Sequence, residues 1–156
     1  FKPIGVIHSP HKEPSKTPIQ PIFCEGIEGK VVLNDQYIKG LKGLDEFSHI
    51  FLFFYFNKSQ KTCLEVKPYL SDKKRGVFAT RAPHRPNKLG MSLVRLLRIE
   101  ANTLYVSDID ILDGTPLLDI KPYVQRFDSA REVKSGWQDD ISDDVAKVRG
   151  LRDYKA

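Results

Sequence analysis

The feature that most limits what this chain can become is the segment Asp45 to Phe56, DEFSHIFLFFYF. An acidic turn there gives way to the longest apolar run in the sequence, Ile50 to Phe56. The run is strand-sized and far too short to cross a bilayer. Dense in aromatic residues and nearly free of polar ones, it predicts a strand covered on both faces at the centre of the core. His49 heads that strand, and a lone histidine in such a place reads as a hydrogen-bonded structural residue before it reads as a catalyst.

Around this segment the chain is cut into short strands by proline and glycine. Lys2 to Ile7 reads as a strand, after which Pro10, Pro14, Pro18 and Pro21 hold His8 to Ile22 out of regular structure. A loop of that length in a compact domain suggests a lid or a binding role. Gly29 to Leu33 is a strand, and Tyr37, Ile38, Leu41 and Leu44 recur at helical spacing in one short helix. Thr62 to Tyr69 alternates as a half-buried edge strand would, and Met91 to Glu100 pairs with Leu104 to Leu112 as a hairpin. Many short strands and one or two short helices predict an all-β fold, a closed or nearly closed β-barrel, over residues 1–124. No G-x-G-x-x-G or Walker sequence occurs, which excludes a Rossmann cofactor site.

Two stretches carry the polar chemistry. GVFATRAPHRPNKLG, Gly76 to Gly90, begins as a strand, but Pro83 and Pro86 force Arg81 to Asn87 into a stiffened loop. That loop presents Arg81, His84, Arg85, Asn87 and Lys88, a donor set suited to an anion or a polar heterocycle, though a solvated turn would carry such charges too. In SDIDILDGTPLLDIKPY, strand alternation places Asp108 and Asp110 on one face. Adjacent like charges need solvent or donors, and the basic loop around Arg81 is the nearest candidate in charge. Asp113 to Pro116 forms a turn with a sufficient structural explanation. Residues 125–156 form a polar extension packed on the barrel or on a partner subunit. In it Ile141, Val145, Val148 and Leu151 are spaced as one face of an amphipathic helix, acids early and bases late.

At 156 residues the chain is about one domain. A net charge of +5 and a pI near 9.2 permit a polyanionic partner without requiring one. Cys24 and Cys63 are expected to be reduced thiols, and the four histidines lack companions at zinc spacing, so no metal is expected. With neither a signal pattern nor a membrane-spanning run, the expected location is cytoplasmic.

Three stretches, DEFSHIFLFFYF at 45–56, GVFATRAPHRPNKLG at 76–90 and DILDGTPLLDIKPY at 110–123, together with the opening IGVIHSPHK, resemble one family. It is the TsaA-like or TrmO family of S-adenosylmethionine-dependent tRNA methyltransferases, and the resemblance runs in order from Ile4 to Tyr123. It implies a non-Rossmann barrel that binds S-adenosylmethionine, works as a homodimer, and methylates N6 of threonylcarbamoyl-adenosine beside the tRNA anticodon. Carried over by motif, the cofactor contacts are Gln20, Pro21 and Ile22; Asn57 and Lys58; Arg81; Met91; and Ser107, Asp108, Ile109 and Asp110. Two positions depart from the family pattern: Asn57 stands where histidine is usual and Lys88 where proline is usual.

The implied reaction is chemically consistent with these residues. S-adenosylmethionine carries two cationic groups and a carboxylate, which Asp108, Asp110 and Arg81 would match. The N6 amine is a weak nucleophile, so alignment matters, and alignment alone supplies roughly 7 kcal/mol or more in favourable cases. Asn87, Asp113 or a backbone carbonyl would accept a hydrogen bond from it and stabilise positive charge developing on nitrogen. His84, Arg85 and Lys88 would hold the anionic substrate. Two rival functions use the same features: a non-catalytic module that binds S-adenosylmethionine or RNA, and a methyltransferase acting on a small metabolite.

Overall fold

In the computed structural model, which describes residues 1–151, the apolar run becomes strand β3, His49–Tyr55. The other strands, in chain order, are β1 (Gly5–His8), β2 (Glu28–Leu33), β4 (Glu65–Val66), β5 (Arg75–Gly76), β6 (Leu89–Glu100), β7 (Thr103–Ser107) and β8 (Thr115–Pro122). Six of them close an antiparallel barrel in the order β1-β2-β7-β6-β3-β8, while β4 and β5 form a separate two-stranded ribbon. Closure leaves no barrel strand with an unpaired edge.

Alternation along each strand decides what fills the barrel. Ile50, Leu52 and Phe54 of β3 point inward and meet Val94, Leu96, Leu104, Val106, Leu117, Ile7 and Val31. The expectation that β3 is covered on both faces is corrected. Its other face is the outer wall, where Phe51 and Phe53 are half-buried and Tyr55 is 39% exposed. The outer rings lean on one another and on Tyr123, with Phe51 and Tyr123 centroids 5.8 Å apart. An apolar run therefore does not imply two buried faces when aromatic side chains can shield each other across a barrel wall.

Other expectations change for local reasons. The strand expected over Thr62 to Tyr69 shrinks to β4, with Leu64 68% exposed, because the closed barrel offers it no edge to join. The stretch after Gly76 is not a strand; Val77–Ala79 is a 3₁₀ turn. The hairpin partner of β6 ends at Ser107 instead of Leu112, since Asp108 adopts a left-handed φ of 65° and turns the chain away. Asp108 and Asp110 consequently do not share a strand face. The segment they occupy is tied to the proline-rich loop: Ser9 Oγ donates to the Ile111 carbonyl at 2.6 Å, and a His11 Nε2–Ile109 carbonyl contact spans 2.8 Å. The one short helix expected over Asp35 to Leu44 is divided: Asp35–Leu41 is 3₁₀, Gly43 takes a left-handed φ of 82°, and Leu44 opens a second 3₁₀ turn, Leu44–Glu46.

The extension contains α1 (Gln125–Asp128), a 3₁₀ turn at Gly136–Asp140, and α2 (Asp143–Gly150), whose N-cap Ser142 accepts a bond from the Val145 amide. The predicted apolar face is corrected. Val145, Val148 and Leu151 are 43, 55 and 44% exposed, and α2 faces inward through Ala146, Arg149 and Gly150. The basic end beyond Leu151 lies outside the described residues.

One glycine is indispensable to the packing. A Cβ at Gly90 would overlap the Phe54 ring inside the barrel. We therefore expect Gly90→Ala to lower stability by about 1–3 kcal/mol in urea unfolding, as overpacking does. Adding Phe54→Leu should return part of that loss; a Gly90→Ala protein as stable as the parent would contradict this packing.

Candidate ligand cleft

Against the outer wall of β3 and β6, three loop segments converge to form a cleft of about 530 Å³. The proline-rich loop contributes Gln20, Pro21, Ile22 and Glu25; the loop after β5 contributes Arg81; the segment after β7 contributes Asp108; His49 and Leu93 form the barrel side. Each loop is shaped locally. Pro21 opens a 3₁₀ turn, Pro21–Phe23, closed by the Cys24 amide donating to the Pro21 carbonyl at 2.8 Å. Gly26, at φ 76°, aims its amide at Asp108 Oδ1, 2.8 Å away, which joins the proline-rich loop to the end of β7.

Arg81 is held by the turn before it. Thr80 Oγ1 donates to the Val77 carbonyl at 2.9 Å and accepts from the Ala82 amide. Arg85 closes the same turn from the far side, its Nη1 donating to the carbonyls of Val77 and Thr80 at 3.0 and 2.7 Å. Arg81 Nη1 then donates to Gln20 Oε1 at 2.5 Å, bridging two loops remote in sequence. The expected match of Asp108 and Asp110 with the basic loop is corrected: Asp108 accepts from Gly26, and Asp110 accepts from Ser92 Oγ at 2.6 Å. Each carboxylate thus accepts a hydrogen bond from a donor outside the basic loop.

Of the residues predicted to bind a cofactor, Gln20, Pro21, Ile22, Arg81 and Asp108 line this cleft. Met91 points outward on β6, opposite Phe53 and two residues from Leu93. Ser107 and Ile109 are buried on either side of Asp108, and Asn57 and Lys58 lie exposed in the turn after β3. Among the residues assigned to substrate, a His84 Nδ1–Ser59 Oγ contact spans 3.2 Å, Lys88 Nζ reaches the Gln60 carbonyl at 3.5 Å, and Arg85 is engaged in its own loop. Asn87 is exposed. Asp113 lies outside the cleft lining, its Oδ2 2.6 Å from Lys12 Nζ and its Oδ1 shared by the Ser9 amide and His8 Nδ1.

Glu25, His49 and Leu93 were not anticipated as lining residues. The period-two alternation of β3 does place His49 on the outer face with Phe51 and Phe53, so its position was readable once the run is taken as a wall. Nothing in the sequence marked Glu25. His49 Nδ1 lies 2.8 Å from Ser48 Oγ, and its ring meets Tyr123 edge-on.

The cleft sets one cation, Arg81, against two carboxylates, Glu25 and Asp108, beside apolar walls from Ile22 and Leu93. That combination suits a ligand bearing a carboxylate, cationic groups and a flat or apolar body. Below it, burial pushes the Cys24 thiol up to about 12, with the charges of Asp110 and Asp108 adding to the effect. The hydrogen bond from Lys12 holds the Asp113 carboxyl below its usual range, against an opposing effect of burial and with further help from the Ser9 amide. Its folded value being depressed, Asp113 contributes stability that is fully present above the ordinary carboxylate value and is lost as pH falls below that value and through its own lower one. Among the described residues no cluster of three His, Cys, Asp or Glu side chains is arranged to hold a metal, and no helix is long and apolar enough to cross a membrane.

A closed antiparallel barrel carrying a loop-built, mixed-charge cleft on its outer wall is a ligand-binding β-barrel without any nucleotide-binding α/β element. The chain belongs to the family of the tRNA-methyltransferase O N-terminal domain, whose model matches residues 6–129. It is 49% identical over 98% of its length to a probable S-adenosyl-L-methionine-binding protein of Pyrococcus abyssi, covering 82% of that protein. It is 38% identical over 85% of its length to a human tRNA (adenine(37)-N6)-methyltransferase, of which it spans 32%. A crystal structure of TrmO superposes with a TM-score of 0.74 at 43% identity, over 86% of this chain and 61% of that one.

The thiol chemistry is directly measurable. Cys24 should stay unmodified by a thiol reagent at pH 8 in the folded protein and react on unfolding, because its thiolate is scarce and its sulfur buried. Rapid native labelling of Cys24, read by mass spectrometry, would contradict the buried position.

Proposed function

We propose that this chain is an S-adenosylmethionine-dependent methyltransferase acting on tRNA, with N6 of threonylcarbamoyl-adenosine beside the anticodon as the methyl acceptor. The observation that carries the reading is the convergence of Arg81, Gln20 and Asp108 on one cleft in a chain of this family. The donor set fits the cofactor. Arg81, preset by Gln20, would take the carboxylate; Asp108 and Glu25 would face the cationic groups; Ile22 and Leu93 would cover the body of the molecule and exclude water. When bound, S-adenosylmethionine supplies a methyl group on a sulfonium centre. The tRNA part of the reading rests on the name borne by the human relative, and the threonylcarbamoyl group on the resemblance of the sequence motifs.

Within that reading the group that accepts a hydrogen bond from the N6 N–H and stabilises the positive charge developing there is Asn87 or a backbone carbonyl in preference to Asp113, whose two oxygens are engaged by Lys12, Ser9 and His8, and the proton itself passes to water once the methyl group has transferred. Substrate contacts fall to His84 and Lys88, while Arg85 shapes the loop that presents them. The homodimer would form through the outer wall. There Tyr55 pairs with Leu89 and Phe53 with Met91, and the exposed apolar residues of that row suit a twofold interface.

A binding-only role is favoured by one observation, the name of the Pyrococcus abyssi relative as a binding protein. Incubation with labelled S-adenosylmethionine and tRNA bearing threonylcarbamoyl-adenosine, followed by nucleoside chromatography, separates the readings. Label should appear in the methylated nucleoside, and Arg81→Ala should weaken cofactor binding about tenfold or more through loss of a charge-assisted bond. Cofactor binding without transfer to any tRNA would instead leave the binding module or the small-metabolite enzyme. For the dimer, light scattering should report two chains for the parent and one for Leu89→Glu; a monomeric parent would remove that interface.

A further inference from the structure

The extension touches the cleft's two loops beside the residues that matter most. Trp137 Nε1 donates to the Ala79 carbonyl at 2.9 Å, two residues before Arg81. The Ile19 amide donates to the Gly150 carbonyl at 3.0 Å, one residue before Gln20. The Arg81–Gln20 bond then closes a mechanical loop from Trp137 to Arg81, across to Gln20, and back to Gly150. Both anchor residues lie beyond residue 129, where the match to the family model ends.

Each anchor is built for its place. The Arg75 guanidinium carbon sits 5.5 Å from the Trp137 ring centre, and Arg75 Nε is buried with no hydrogen-bond partner, so the indole covers a cation that the loop cannot otherwise satisfy. Gly150 is buried, and any Cβ there would meet the Phe23 ring at about 2.5 Å. Arg149 Nη2 adds an ion pair to Asp72 Oδ1 at 2.9 Å. Between its anchors the extension stands over a cavity of about 440 Å³ lined by Leu70, Ser71 and Val145 among others. That depression is open to solvent, so the segment rests on the barrel largely through these contacts.

We propose that residues 136–150 are a positioning strap for the ligand cleft, with Trp137 and Gly150 as positioning residues that set the Arg81–Gln20 bridge. The inference deepens the cofactor reading above and rests on it for its consequence in binding, but its mechanical part stands without any ligand. The strap orders two irregular loops that carry Arg81 and its partner Gln20, so losing either anchor loosens the opposite loop through the bridge.

Hydrogen exchange and calorimetry on the full chain test both parts. In Trp137→Ala, amides of residues 19–24 should exchange faster in the free protein, while barrel amides of β3 and β6 keep their protection. Trp137→Phe, which keeps a ring over Arg75 but loses the donor to Ala79, should show an intermediate effect. S-adenosylmethionine affinity should fall about tenfold in Trp137→Ala and less in Trp137→Phe, with the barrel's unfolding transition unchanged. Unaltered exchange at residues 19–24 overturns the strap whether or not the cofactor binds. Faster exchange with an unchanged affinity overturns its role in binding. A parent chain that binds no S-adenosylmethionine, yet shows the exchange effect, rejects the cofactor reading and leaves the strap standing.

Discussion

Closure through β8 is the constraint on which the rest of the structure depends. By pairing with β1 on one side and β3 on the other, β8 turns an open sheet into a barrel with no free edge. The interior is then filled by alternate residues from every strand, and Phe54 fits only because Gly90 presents no side chain. Loops between strands have no edge to extend, and they reach the interior only through a few side chains such as Ile109 and Ile111. They lie on the outer wall, and the cleft arises where three of them meet.

Hydrogen bonds to groups outside regular structure give that cleft its shape. Asp108 leaves β7 in a left-handed conformation and is rewarded by the Gly26 amide; Arg81 leaves a 3₁₀ turn and meets Gln20. Each bond joins segments distant in the chain, so the cleft is a property of the closed barrel and not of any one loop. Burial keeps Cys24 as an unreactive thiol, with the nearby charges of Asp110 and Asp108 adding to the effect. The extension adds a further tie on the same two loops from beyond residue 129, where the match to the family model ends, and so relates the C-terminal segment to the geometry of the cleft.

Much of the candidate site could be read from residue order. Pro21, Pro83 and Pro86 forced irregular loops, and motif resemblance directed attention to Gln20, Arg81 and Asp108, which meet in space. Arg85 reads in sequence as a substrate contact, yet its Nη1 is turned onto the carbonyls of Val77 and Thr80. A guanidinium looks equally available in a sequence whether it faces solvent or its own backbone. Glu25 carried no signal because its role depends only on where the proline-rich loop comes to rest.

The sequence by itself determined the barrel's elements and the chemistry brought to its surface. Strand alternation, proline and glycine punctuation and the missing phosphate-binding glycine motifs are local properties, enforced by dihedral sterics and by which side chains avoid water. Only the tertiary structure decided which face of β3 was core, which donor met which carboxylate, and that α2 would turn Gly150 inward while leaving Val148 exposed. Those outcomes depend on contacts between residues far apart in the chain, and their energies come from burial and hydrogen bonding that exist only once the barrel has closed.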